Sequence, residues 1–475
     1  MKTFPLYLNG DWTVSAPFQQ VINPATGEVL ARVSTVDRSR VAQAIGDAHE
    51  AFKSWRTMTA RARADFLLAV ASEIDDRKDE LARTITQENG KPLGQSQGEV
   101  AMTVDHLRWF AEEARRAYGR VVPHQVEGKR HLVIKSPMGV IGAITPWNFP
   151  LVLAVRKMAP ALAAGNTFVL KPAEQTPLSA IALAECVAAA GMPKGVFQVV
   201  LGEASEIGQE FLQNPLCRKV TFTGSTEVGR LLIAGAAPTI KPLSLELGGH
   251  APVLVFGDLE LDRAVEGALI AKIRNTGQSC IAANRIYVER GIYERFLEAF
   301  TARMKALKVG DGLEPGVEIG PLIDDAGVAK ALAHIENAIA GGARLLCGGK
   351  RVGARGFFIE PTVLSDVPND ALCMREETFA PVAAIHPFDS EAEAIALANN
   401  SSYGLSAYAF TGNLDRAFRL MESIEAGMIG INDGVPSTSN CPFGGIKQSG
   451  WGRELGSEGL DAFLETKHIS LGVLA

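Results

Sequence analysis

One cysteine of the chain sits among small and polar neighbours, in Asn275-Thr276-Gly277-Gln278-Ser279-Cys280. Gly277 lets the backbone turn tightly, and such neighbours leave the thiol of Cys280 accessible as a nucleophile. A lone intracellular cysteine is more often a small buried hydrophobe, so the motif alone leaves both readings open. In Leu245-Glu246-Leu247-Gly248-Gly249 an acid lies between leucines. Apolar surroundings disfavour its charge and suit proton transfer near neutral pH; the plain alternative is a surface Glu at a strand end. Pro146-Trp147-Asn148-Phe149-Pro150 holds an amide in a turn stiffened by two prolines. Asn148 could donate to an oxyanion, or simply cap the next helix. Thr223-Gly224-Ser225-Thr226-Glu227-Val228-Gly229 carries glycines where a helix would start, a place suited to a diphosphate but equally to an ordinary turn. The fingerprints GxGxxG and GxxxxGK(S/T) are both absent.

Other chemistries find little support. The cysteines at 186, 217, 280, 347, 373 and 441 are never closer than 26 residues, which offers neither a zinc cluster nor a disulfide framework. That usage points to a reducing, cytoplasmic compartment. The eight histidines are scattered and HExxH is missing, so no metal site is expected. The formal net charge is −6 and no basic run occurs, which argues against nucleic acid as a partner. The first residues lack the apolar core of a signal peptide. The charge-free stretch from Ser136 to Val155 contains Pro137, Pro146 and Pro150. A bilayer would leave its backbone groups unpaired, so it reads as a strand, a turn and a helix rather than a membrane span.

The elements that must position these residues follow from hydrophobic periodicity. Over 475 residues, two or three domains are expected. Helical spacing covers 39–55, 60–88 and 95–118. Short β-branched runs at 140–144, 167–170, 196–201 and 219–223 then alternate with Ala- and Leu-rich segments at 151–164, 178–190 and 203–213. This rhythm predicts a parallel sheet covered on both faces, with ligands beyond the carboxyl ends of its strands. A second α/β series begins near Leu247: strands at 252–256 and 285–289, and helices at 261–275, 293–307 and 325–341. Residues 120–135 read as a hairpin and 464–473 as another short strand; exposed edges of this kind need cover or recruit another chain.

Taken together, the motifs resemble the aldehyde dehydrogenase superfamily, in order and along nearly the whole chain. Beyond those quoted, the matching stretches are KPAEQTP (171–177), FTGSTEVG (222–229), EETFAPV (376–382) and PFGGIKQSG (442–450). The resemblance implies an α/β fold with a Rossmann-like cofactor domain at 1–118 and 137–246. It further implies an α/β catalytic domain at 247–445 and a small β oligomerisation arm at 119–136 and 446–475. A homodimer or homotetramer is expected. Cys280 would attack the aldehyde carbon, Asn148 would stabilise the thiohemiacetal oxyanion, and Glu246 would activate the water that hydrolyses the thioester. Lys157 and Glu454 match a proton-relay pair. Thr145, Trp147, Lys171, Glu174, Gly224, Ser225, Glu377 and Phe379 match cofactor-binding positions. A carboxylate at Glu174 can accept from a ribose 2′-hydroxyl and repels a 2′-phosphate, which predicts NAD over NADP.

Within the superfamily the chain is most similar to succinate-semialdehyde dehydrogenases. Arg156, Arg274 and Ser437 match that subgroup's clamp for a distal carboxylate, a task for which guanidinium geometry is suited. Glutarate semialdehyde, 2-oxoglutarate semialdehyde or a neutral aldehyde remain alternatives, because residues 436–440 depart from the expected pattern. Ala380 replaces a usual glycine, and Ala282 stands where some members carry a second, redox-active cysteine. A CoA-acylating enzyme would not need Glu246, and a non-catalytic protein on the same fold would not need Cys280, Asn148 and Glu246 together.

Overall fold

The computed structural model describes residues 1–472. Val473, the last residue of the expected final strand, lies outside them.

The first α/β series forms a six-stranded sheet in the order Phe197–Val199, Thr167–Lys171, Val140–Ile144, Cys217–Thr223, Leu243–Glu246, Gly450–Trp451. The first five strands run parallel. They read as continuous apolar runs because helices cover both faces. The sixth is antiparallel and comes from residues 450–451, which the sequence had assigned to the arm. Gly450 can adopt φ +118 there, and a Cβ at this residue would lie 1.9 Å from the Leu245 carbonyl.

Helices α1 (Arg38–Trp55), α2 (Ala60–Asp76), α3 (Lys78–Asn89) and α4 (Leu93–Glu113) precede this sheet. The periodicity over 60–88 predicts one helix; the chain breaks it at Arg77, whose guanidinium ion-pairs with Glu80 and Glu185. Before α1, residues 3–34 form short strands that the helical texture of the first third did not announce. Between the strands run α5 (Val152–Ala164), α6 (Pro177–Ala189), α7 (Ala204–Gln213) and α8 (Thr226–Ala236).

A seven-stranded sheet follows, ordered Arg344–Cys347, Thr362–Ser365, Val382–Phe388, Ala283–Glu289, Ala251–Val255, Ser406–Phe410, Met428–Ile431. All but the first strand are parallel. Helix α9 (Leu261–Ile273) leads from this sheet toward Cys280. Lys129–Pro137 pairs on one side with Leu464–Gly472 and on the other with Arg120–Val122, forming a separate three-stranded sheet. No described helix is long and apolar enough to cross a membrane.

Candidate active site

Four neighbouring strands of the six-stranded sheet end side by side. Their register pairs Ile144 with Lys171 and Phe222, and Thr223 with Glu246. The carboxyl edge therefore presents Thr145, Lys171, Thr223-Gly224 and Glu246 in one row. Ser225 caps α8 by accepting from the Val228 N–H at 3.3 Å. A cavity of about 350 Å³ opens over this corner, lined among others by Trp147, Asn148, Gly224, Ser225, Cys280 and Glu377. Phe379 closes it, edge-on to Trp147 with ring centroids 5.5 Å apart. The Glu377 carboxylate accepts from the Gly249 N–H at 3.1 Å, and burial pushes its pKa up to about 7. These groups fit a dinucleotide. A helix start with a side-chain-free approach at Gly224 suits the diphosphate, whereas Thr145, whose buried hydroxyl lacks a hydrogen-bond partner, does not line the cavity. Lys171 and Glu174 do not line this cavity; they form an ion pair with each other beside it.

The loop that carries Cys280 leaves α9 through three successive residues with left-handed φ: Asn275 at +50, Thr276 at +57 and Gly277 at +77. Two of them are not glycine, so the conformation costs energy that surrounding contacts must offset. Thr276 Oγ1 accepts from the Gly320 N–H at 3.0 Å. Gln278 Oε1 accepts from the Ile323 N–H at 2.9 Å, and its amide donates to the Pro321 carbonyl. A Cβ on Gly277 would lie 2.3 Å from the Ala380 carbonyl oxygen. Cys280 emerges half-buried, between the cavity above and a second one behind it. Its neighbours do not leave it as open as their small size suggests. Burial, seconded by the Glu377 charge, pushes the thiol up to about 12, against the pull of Arg156 and Arg274.

Asn148 faces the same cavity and donates from Nδ2 to the Gln278 carbonyl at 3.2 Å. It does not cap α5. That task belongs to Glu99 of α4, which accepts from the N–H groups of Leu151 and Val152 at 2.9 and 3.2 Å. The other Glu99 oxygen pairs with Lys91 at 2.6 Å, both side chains wholly buried. Lys91 Nζ also donates to the Asn148 carbonyl at 2.7 Å, and Asn275 Nδ2 donates to the same oxygen at 2.8 Å. This lattice of Lys91, Glu99 and Asn275 links the amide turn to the loop of Cys280. Sequence reading missed it, because nothing in a local pattern marks a lysine and a glutamate for burial together.

The Glu246 carboxyl is buried but lines neither cavity. It lies against Gly444, where a Cβ would come within 2.7 Å of Oε1, and its Oε2 has no partner. Burial, and then the charge of Glu454, raise it well above the carboxylate range; Lys157 and Arg156 oppose this. Lys157 donates to Thr223 Oγ1 at 2.6 Å and ion-pairs with Glu454.

Arg156, Arg274 and Ser437 come together in the second, narrow cavity, together with Cys280. Arg156 stacks 4.3 Å over the Phe443 ring and Arg274 5.3 Å over Phe149. Arg156 Nε, Arg274 Nη1 and Ser437 Oγ are all buried without hydrogen-bond partners, although Arg156 Nε makes a long ion pair with Glu454 Oε2 at 3.9 Å. Unpartnered donors around one cavity mark a place for an anionic or polar group. A wider depression of about 370 Å³ shares Met102, Phe149 and Arg274 with it and adds Ile270, Ile273 and Val435.

Comparison with known proteins gives the family and the fold of the whole chain. The profile of the aldehyde dehydrogenase family matches residues 12–469. A glutarate-semialdehyde dehydrogenase of Pseudomonas aeruginosa is 50% identical over 469 residues, which span 98% of this chain and 97% of that protein. The NADP(+) succinate-semialdehyde dehydrogenase of Escherichia coli is 48% identical over 468 residues, 98% and 97% of the two chains. The crystal structure of a succinate-semialdehyde dehydrogenase from Burkholderia pseudomallei superposes with a TM-score of 0.98 at 45% identity, covering 99% of this chain and 98% of that one.

Proposed function

Since the chain belongs to the aldehyde dehydrogenase family, using NAD(P) to oxidise an aldehyde, we propose that its substrate is a short semialdehyde with a distal carboxylate, succinate semialdehyde first among them. The observation that carries this reading is the set of donors without hydrogen-bond partners on Arg156, Arg274 and Ser437 around the cavity that Cys280 also lines. Two guanidiniums and a hydroxyl hold the carboxylate and present the aldehyde carbon to the thiol.

Cys280, once deprotonated, forms the C–S bond, and the carbonyl electron pair moves onto oxygen. Asn148 Nδ2 and the Cys280 N–H donate to that oxyanion. Gly224, Ser225, Glu377 and Phe379 around the larger cavity would hold a nicotinamide dinucleotide, which would supply the two-electron acceptor needed for the adduct to become a thioester on Cys280. Glu246 then takes a proton from water as the water attacks the acyl carbon; the C–S bond breaks, freeing the carboxylic acid and the Cys280 thiolate. A carboxyl raised by burial is a stronger base toward that proton than an exposed one. Lys157 and Glu454 pass the proton onward from Glu246. Glu246 turns from Gly444 toward Cys280 to do this work. A base at that position favours hydrolysis over transfer to CoA.

Glutarate semialdehyde is the second reading, supported by the depression beyond Arg274, which leaves room for a longer chain. NADH production across a panel of semialdehydes and neutral aldehydes, without CoA and with Cys280→Ala as control, decides among them. No turnover of any aldehyde overturns the proposal, and a preference for neutral aldehydes removes the clamp.

For the cofactor we infer NAD over NADP, from a Glu174 carboxylate that repels a 2′-phosphate. The ion pair with Lys171 tempers that repulsion. A higher kcat/KM with NADP refutes this. The exposed strands of the three-stranded sheet support self-association as a homodimer or homotetramer, read by light scattering. Six unpaired cysteines support a cytoplasmic location, read by fractionation.

A further inference from the structure

Ser437 belongs to a loop that has few ties of its own. Across residues 432–442 only Ser439 is buried; Thr438, Asn440 and Cys441 on either side are exposed. Ser439 is also where the loop is fastened. Its carbonyl accepts from the Gly456 N–H at 3.0 Å. Its hydroxyl donates to the Asp105 carboxylate and lies 2.8 Å from His106 Nδ1. A serine hydroxyl has one hydrogen, and Asp105 receives it, so the histidine must be the donor to Ser439 Oγ. The ring is thereby fixed with its proton on Nδ1 and its Nε2 lone pair turned into the interior, where it meets no partner. Burial and the nearby charge of Arg156 hold His106 well below the usual histidine range, so it stays neutral.

Asp105 and His106 stand on α4. One turn earlier the same helix places Met102 in the wall of the narrow cavity, and two turns earlier Glu99 caps α5, the helix that carries Arg156. One helix thus sets the position of an arginine on one side of the cavity and of the Ser437 loop on the other. We propose that the Asp105–Ser439–His106 contact is a specificity latch. It seats Ser437 beside Arg156 and Arg274, and so sets the preference for aldehydes that carry a distal carboxylate. None of the three residues lines the cavity; they are positioning residues. The inference rests on the carboxylate-clamp reading above.

The test is steady-state kinetics with succinate semialdehyde and with butanal, on the wild type and on Ser439→Ala, Ser439→Thr and Asp105→Asn. The latch predicts that Ser439→Ala raises KM for succinate semialdehyde about tenfold while kcat changes by less than about twofold. Both constants for butanal should stay within about twofold. Ser439→Thr, which keeps the hydroxyl, should recover most of the lost KM, and Asp105→Asn should fall between. An unchanged KM in Ser439→Ala, an equal shift for both aldehydes, or no recovery in Ser439→Thr overturns the latch. Should Ser439→Ala fail to fold, Asp105→Asn against wild type decides by the same split. A wild type that already prefers butanal refutes the clamp itself, and is seen before any variant is made.

Discussion

Glu246 and Glu454 approach each other as two buried carboxyls, and the charge of Glu454 is second only to burial in holding Glu246 above its ordinary range. Replacing Glu454 by Gln removes that charge and frees Lys157 to act on Glu246 from the same side. Both changes favour the ionised base. The acid limb of the kcat–pH profile should therefore move to lower pH by about one unit. A limb that stays, or that moves up, dissociates the two residues.

Arg274→Ala should separate substrates. Loss of a buried guanidinium that binds a carboxylate raises KM for succinate semialdehyde on the order of a hundredfold, and for butanal by no more than about threefold. Equal effects on both aldehydes count against the clamp.

The ion pair of Lys171 and Glu174 places a cation and an anion together beside the cofactor corner. Glu174→Gln leaves the lysine unopposed, and the NADP-to-NAD ratio of kcat/KM should rise about tenfold. A falling ratio assigns the discrimination elsewhere.

Lys91→Met strands the Glu99 carboxylate in the interior, a loss of about 3–5 kcal/mol. Adding Glu99→Gln removes the stranded charge while keeping an acceptor for the start of α5. Thermal unfolding should show the stability of the double variant restored above that of Lys91→Met. Its kcat should remain lowered, because the Asn148 carbonyl has still lost its lysine donor. A kcat that recovers in step with Tm would make the pair purely structural.

Glu88 is wholly buried, capping α6 through Leu178 and Ser179, and burial raises its pKa from the ordinary 4.5 to about 8. The folded chain retains a proton that the unfolded chain releases above 4.5, so stability falls as pH rises from there to about 8. In Glu88→Gln, the decline of Tm with pH over that window should be shallower than in wild type. A slope as steep as wild type's assigns the titration to another group.

Local pattern was enough for the elements that carry the motifs. The strand Val140–Ile144 is found where the sequence puts it, and the other strands of the parallel series within about three residues, because doubly buried strands must be apolar throughout. Arg156, Arg274 and Ser437 meet although they are far apart in sequence, and a resemblance in motif order was needed to group them. What escaped notice depends on contacts at long range. Residues 3–34 make strands of two to seven residues, the longer of which show no clean alternation of buried and exposed positions, and Arg77 breaks a helix without disturbing its apolar spacing. Glu99 takes over the cap that Asn148 could have made, across 52 residues of chain. The Asp105–Ser439 contact spans 334. Polar pairs of this kind are chosen by geometry rather than by periodicity, and leave no repeat to read.

The left-handed run at Asn275–Gly277 has a bearing on how the molecule comes to be active. Thr276 and the adjoining Gln278 are held by Gly320, Pro321 and Ile323, all later in the chain than the cysteine, while Asn275 is held by Gln95 and Asn148 from before it. A chain folded only as far as the five parallel strands of residues 140–246 already owns an amide turn and a carboxylate, yet lacks the later ties that hold the loop of Cys280. Regain of activity during refolding therefore times the docking of residues 320–380 onto the loop, and serves as an assay for completion of the fold rather than for collapse of its first core.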